Sequence, residues 1–106
     1  MTGAGGLETV REIAGLLASL GAREVSAANG GGADLMPLRP AGVPQLGLVQ
    51  DGTHYFDWHH TAADTLDKVD SVELAQNAAA LAVMAYVLAE MPQPLPRPDP
   101  APSDTQ

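Results

Sequence analysis

The run Gln45-Leu46-Gly47-Leu48-Val49, set off by Pro40, Gly42 and Pro44 before it and Asp51-Gly52 after it, most narrows the folds open to this chain. A short segment that is largely apolar and bounded by breakers suits a strand buried inside a sheet. Such a strand needs helices over both faces and paired neighbours along its edges. The rest of the sequence supplies only part of that surrounding. Residues 23–27 fit a second short strand. Leu7, Val10, Ala14 and Leu17, with Ile13, Leu16 and Leu20, recur at helical steps and predict a helix over 7–20 whose Glu8, Arg11 and Glu12 face water. Gly21 follows where a left-handed C-cap is wanted, and Asp34 is placed to cap one short turn over 35–38. Thr61 and Asp64 have the spacing of a capping box, which Asp70 and Glu73 repeat at the head of an Ala-rich helix over 71–90 that Pro92 ends. Its expected buried face is Leu74, Asn77, Leu81, Met84 and Leu88. The expectation is an α/β architecture of about three helices and two to three short strands. A sheet of that size is incomplete by itself.

Composition removes several classes of function. A chain of 106 residues makes one small domain, and 45% hydrophobic residues is ordinary for a folded chain. A formal charge of -8 would repel a phosphate backbone, so nucleic acid is not an expected partner. There is no cysteine, so a metal would have to sit on His and carboxylate. Residues 78–89, the most apolar stretch, fall short of the roughly 20 residues a bilayer needs, which predicts a core helix and no membrane partner. Residues 1–6 lack the basic flank and apolar run of a signal peptide and are expected to be flexible. Residues 92–106 carry six of the nine prolines and are expected to form a disordered or extended tail, leaving 7–91 as the folded unit.

The Gly30–Gly32 run lacks both the GxGxxG pattern and a GK[ST] ending, and no serine stands in a GxSxG context. The chemistry-bearing segment is 51–65, which holds all three histidines among several aspartates. Neutral imidazole with carboxylate is a donor set that zinc accepts. Residues 50–60 show neither helical nor strand periodicity and predict a functional loop. If Trp58 to His60 are extended, His59 and His60 point to opposite sides and only one is a direct ligand. On spacing alone, a surface pair ahead of a capped helix fits at least as well.

The string YFDWHHTAADTLDKVD, preceded by GGADLMPLRPAGVPQLGL and followed by an Ala-rich helix into MAYVLAEMPQPLPR, resembles the C-terminal portion of the zinc-dependent exopeptidases of metallopeptidase family M twenty-eight. Within them it is most similar to the carboxypeptidase Q and bacterial aminopeptidase-like branch. The resemblance covers roughly residues 7–97. It implies the C-terminal fragment of a mixed-sheet fold carrying two zinc ions, with 7–91 as part of the catalytic domain. It implies His60 as the last metal ligand and His59 as a donor to the oxyanion. Asp64 and Thr61 become supporting or capping residues of the ligand loop, and Asp34 a residue shaping the pocket. Related enzymes often have Tyr where His59 stands and Pro where Ser71 stands. The other ligands and the Glu base lie upstream in that family. The chain by itself is therefore expected neither to hold zinc stably nor to hydrolyse peptides, and to need the missing catalytic portion or self-association. The family is mostly secreted or periplasmic. Two other readings stand beside this one: an interaction module without catalysis, and simple metal binding by His54, His59 and His60.

Overall fold

The computed structural model describes residues 2–27 and 31–98. These residues are mostly helical, with α1 at Gly6–Gly15, a single turn α2 at Tyr55–Trp58 and the long α3 at Ser71–Glu90. Three 3₁₀ turns, Ala18–Leu20, Ala33–Leu38 and Leu66–Lys68, lie between them. The first helix is shorter than its apolar periodicity predicts. It stops at Gly15, where a residue without a side chain is costly to a helix, and the chain tightens into the 3₁₀ turn that Gly21 closes at φ 73°.

α3 has the predicted bounds. The Asp70 carboxylate accepts from the amides of Val72 at 2.8 Å and Glu73 at 2.9 Å, satisfying two donors a helix start leaves open. Its packing departs from expectation. α1 touches it, and Val10, Ile13 and Ala14 of α1 are buried along with Leu17 just beyond, yet on α3 only Ala80 is buried. Asn77, Met84 and Leu88 are half-buried, and Leu74 and Leu81 are more than half exposed. Among the described residues the expected face is therefore covered only in part.

The expected mixed sheet does not form among the described residues, which contain no strand. Segments 23–27 and 46–49 run without helix or turn between α1 and α3, and no backbone hydrogen bond joins either to another segment among the described residues. An extended segment becomes a strand only when a neighbour takes up its amides and carbonyls. The two segments instead line an open groove of about 1030 Å³ together with Leu7, Val10, Leu81 and Met84. At 43 × 41 × 20 Å the molecule is a slab two layers thick, whereas a strand apolar on both faces needs three.

The expected cap at Asp34 needs correcting. The turn Ala33–Leu38 starts after Gly32 with no side-chain cap, so Asp34 lies exposed inside the turn and does not cap it. That turn is fastened by Gln45, 5% exposed, whose Nε2 donates to the Leu35 carbonyl at 2.5 Å while its Oε1 accepts from Arg39 Nε at 3.3 Å. The Pro-rich segment is laid down as far as Pro98. The Gly3 amide donates to the Pro96 carbonyl at 2.8 Å and Arg97 Nη1 donates to the Ala41 carbonyl at 2.7 Å. A Cβ on Gly3 would stand 2.1 Å from the Arg97 carbonyl oxygen, so only glycine allows this crossing. Residues 2–6 are thereby tied to the tail through Gly3. Residues 28–30, including part of the Gly run, and 99–106 lie outside the described residues.

Candidate functional site

The histidine segment hangs from α3 at both ends. On the upstream side Asn77 Nδ2 donates to Gln50 Oε1 at 3.1 Å, after which Asp51 turns the chain. Its carboxylate accepts from the Thr53 hydroxyl at 2.5 Å and the Thr53 amide at 2.9 Å. These two bonds, the hydroxyl first, hold the Asp51 carboxyl below its ordinary range, because both favour the ionised form. On the downstream side Lys68 reaches back over the Trp58 ring, 5.2 Å from its centroid, and the Asp70 cap follows at once. Lys68 also pairs with Asp67, whose carboxyl is pushed down by that ammonium and by the Thr65 hydroxyl.

Between these anchors the chain makes a helical turn, Tyr55–Trp58, where the sequence predicts an irregular loop. Too few residues are involved for periodicity to show it, although Tyr55 and His59 stand four apart. The turn closes through the His59 amide, which donates to the Tyr55 carbonyl at 2.9 Å. His54 Nδ1 and Asp57 Oδ2 pair across it at 2.8 Å on an exposed face.

The tandem imidazoles lie together and not on opposite sides, contrary to the extended geometry expected of 58–60. Their ring centroids are 3.8 Å apart at 46°. His59 leaves the turn at φ -50°, ψ 123°, and His60 then takes φ 58°, a left-handed conformation that reverses the strand-like alternation. Tyr55 stacks on His59 with centroids 4.3 Å apart at 27°, and its hydroxyl lies 3.3 Å from His59 Nε2. Phe56 presents an edge to the His59 ring at 6.2 Å.

The Thr61 to Asp64 capping box does not form, because no helix begins there. The Thr61 hydroxyl donates to the Trp58 carbonyl at 2.6 Å and accepts from the Ala63 amide at 3.2 Å, a local turn that competes with helix initiation. Thr61 thus fixes the backbone on either side of His60. Asp64 contributes its amide to the Thr61 carbonyl at 3.1 Å, with its side chain exposed. Among the described residues no hydrogen bond, ion pair or ring contact joins Asp34 or Asp64 to either imidazole, and no three of His, Asp and Glu converge as metal donors. Two adjacent imidazoles are short of the three or more donors a zinc ion takes, so these residues alone do not fit the metal. Gln45, Tyr55 and Asn77 carry the local architecture. Of these, only the spacing of Tyr55 from His59 leaves a trace in the sequence.

The imidazole pair lies on a left-handed turn beside an open apolar groove, and comparison with known proteins gives the class of the chain. The chain is related to carboxypeptidase Q. It is 39% identical over 88 residues to carboxypeptidase Q of Mus musculus and 36% identical over 88 residues to that of Homo sapiens, covering 83% of this chain in each case. It is 41% identical over 66 residues to that of Rattus norvegicus, covering 62% of this chain and 14% of the relative. The chain spans 18% of the length of the mouse and human relatives. No family model matches it, and no solved structure matches it significantly.

Proposed function

We propose that this chain forms the C-terminal part of the catalytic domain of a zinc metallopeptidase that hydrolyses terminal peptide bonds by metal-activated water. The similarity to carboxypeptidase Q over 83% of the chain carries the reading. In it, His60 is the last metal ligand and His59 donates a hydrogen bond to the oxyanion that develops as the peptide carbonyl is attacked. The left-handed turn at His60 and the Thr61 turn around it support a role for this imidazole that an ordinary surface residue does not need. The remaining donors and the general base come from polypeptide outside these 106 residues, so the chain alone is inactive.

The packing of α3 supports a protein partner. α3 is apolar around much of its circumference, with a mean hydropathy of 1.5 over an 18-residue window of which 6% is buried, long and apolar enough by composition to cross a membrane. Its contact with α1 and its place on the groove beside 23–27 and 46–49 favour a protein cover, because lipid cannot pair with the extended backbones there. The cover is the remainder of the peptidase domain. Self-association is the second reading, favoured by the same uncovered groove.

The test replaces the matched 88 residues of mouse carboxypeptidase Q by the matching residues of this chain. The expected result is a zinc-containing chimera that cleaves dipeptides and loses that activity with His60→Gly. A folded chimera that cleaves equally well with His60→Gly contradicts the proposal.

A further inference from the structure

His59 is half-buried, while Tyr55 and Phe56 on the same turn and His60 beside it are exposed. Three rings bound it: Tyr55 stacked at 4.3 Å, Phe56 edge-on at 6.2 Å and His60 tilted against it at 3.8 Å. Phe56 in turn meets Tyr55 edge-on at 5.0 Å. Among the described residues the only side-chain hydrogen bond of the His59 ring is that between its Nε2 and the Tyr55 hydroxyl, at 3.3 Å. Tyr55 also lines the groove, so the contact sits where the groove meets the imidazole pair.

A neutral imidazole carries one proton, and the hydrogen bond made by one ring nitrogen decides which nitrogen keeps it. If His59 Nε2–H donates to the Tyr55 oxygen, Nδ1 is a bare acceptor and the ring has nothing to offer an oxyanion. If the Tyr55 hydroxyl donates to Nε2, the proton stays on Nδ1, which is then the free donor. The first arrangement is incompatible with His59 as an oxyanion donor.

We infer that Tyr55 is the positioning residue of His59: its hydroxyl donates to Nε2 and its ring fixes the imidazole plane, so that His59 is held as the Nδ1–H tautomer. The inference rests on the reading of His59 as oxyanion donor, but its structural content is measurable without zinc or substrate. Tyr55 does not touch the reacting atoms in this scheme and acts through His59.

The test is long-range proton–nitrogen correlation NMR on the metal-free mouse chimera, the parent chain here, with its histidines labelled with nitrogen-15, at a pH well above the ordinary histidine range. The expected result is the Nδ1–H tautomer at His59 in the parent chain. Tyr55→Phe, which keeps the stacked ring and removes the hydroxyl, shifts His59 to the Nε2–H tautomer that free imidazole side chains favour. Tyr55→Ala does the same and also removes the ring-current shift of the His59 carbon-bound protons. An Nε2–H tautomer in the parent chain, or an unchanged Nδ1–H tautomer in Tyr55→Phe, overturns the assignment. In the mouse chimera, Tyr55→Phe is expected to lower kcat about 10-fold with KM unchanged, the scale of losing one supporting hydrogen bond behind a functional imidazole. If the tautomer follows Tyr55 while Tyr55→Phe and His59→Ala chimeras turn over at the parent rate, the oxyanion reading of His59 falls and the tautomer assignment stands.

Discussion

His60 holds a left-handed backbone, at φ 58°, that costs a residue with a Cβ about 1–2 kcal/mol. Glycine takes that conformation freely and alanine does not. In the assembled protein His60→Gly should therefore be more stable than His60→Ala by roughly 1 kcal/mol, read from denaturation midpoints, while both lose the imidazole. Equal midpoints would show that the turn is not strained. The segment 51–65 is legible as the candidate site because it gathers the histidines, but the direction of the two rings is not. Expecting them on opposite sides assumes an extended 58–60, and no Gly or Asn at position 60 announces the reversal. At the head of the segment, Asp51 makes a second residue-scale prediction. Its carboxyl lies below its ordinary value because the Thr53 hydroxyl and amide bind the ionised form. The contribution of this turn is therefore full above the ordinary carboxylate range and is lost as pH falls through the lowered value. Thr53→Val removes the hydroxyl bond and should raise the Asp51 midpoint toward the ordinary value, followed by carbon-13 NMR of the carboxyl. An unmoved midpoint would assign the shift elsewhere.

Among the elements, α3 is the most legible because both of its ends are written in side chains, Asp70 at the start and Pro92 after the finish. Asp70→Ala leaves the amides of Val72 and Glu73 without their acceptor and should cost about 1 kcal/mol, with faster amide exchange confined to the first turn. Loss of helicity along all of α3 would mean that the cap nucleates the helix and does more than finish it. The Thr61 and Asp64 pattern shows the limit of the same signal. A capping box needs an apolar helix face behind it to dock, and Thr65, Leu66 and Asp67 give it none, so the Thr61 hydroxyl turns back to Trp58. The strands are illegible for a different reason. The apolar run over 45–49 marks a segment that wants a sheet, but pairing depends on which neighbours lie within reach.

At the scale of the whole molecule, the buried apolar side chains among the described residues are Val10, Ile13, Ala14, Leu17 and Ala80, with Met84 and Leu88 half-buried. A groove of about 1030 Å³ opens next to them. So much uncovered apolar surface on a small slab predicts that the 106-residue chain binds a hydrophobic dye such as ANS and self-associates, and that the mouse chimera does neither. Met84→Asp, which puts a charge on the groove wall, should block folding of the chimera and leave α3 helical in the chain alone. A dye-silent monomeric chain would remove the argument for a missing layer. The sequence carries a both-faces-apolar run with few partners, while the slab geometry shows which surface is left open. If, as proposed, His60 donates to a zinc ion whose other donors lie outside these residues, the metal content of the assembled protein depends on that imidazole. Zinc per molecule is measured on the purified, folded chimera and on its His60→Gly variant, which keeps the left-handed turn. The variant should lose bound zinc or hold it at least about 10-fold more weakly. Equal zinc content and equal affinity in the two would contradict it.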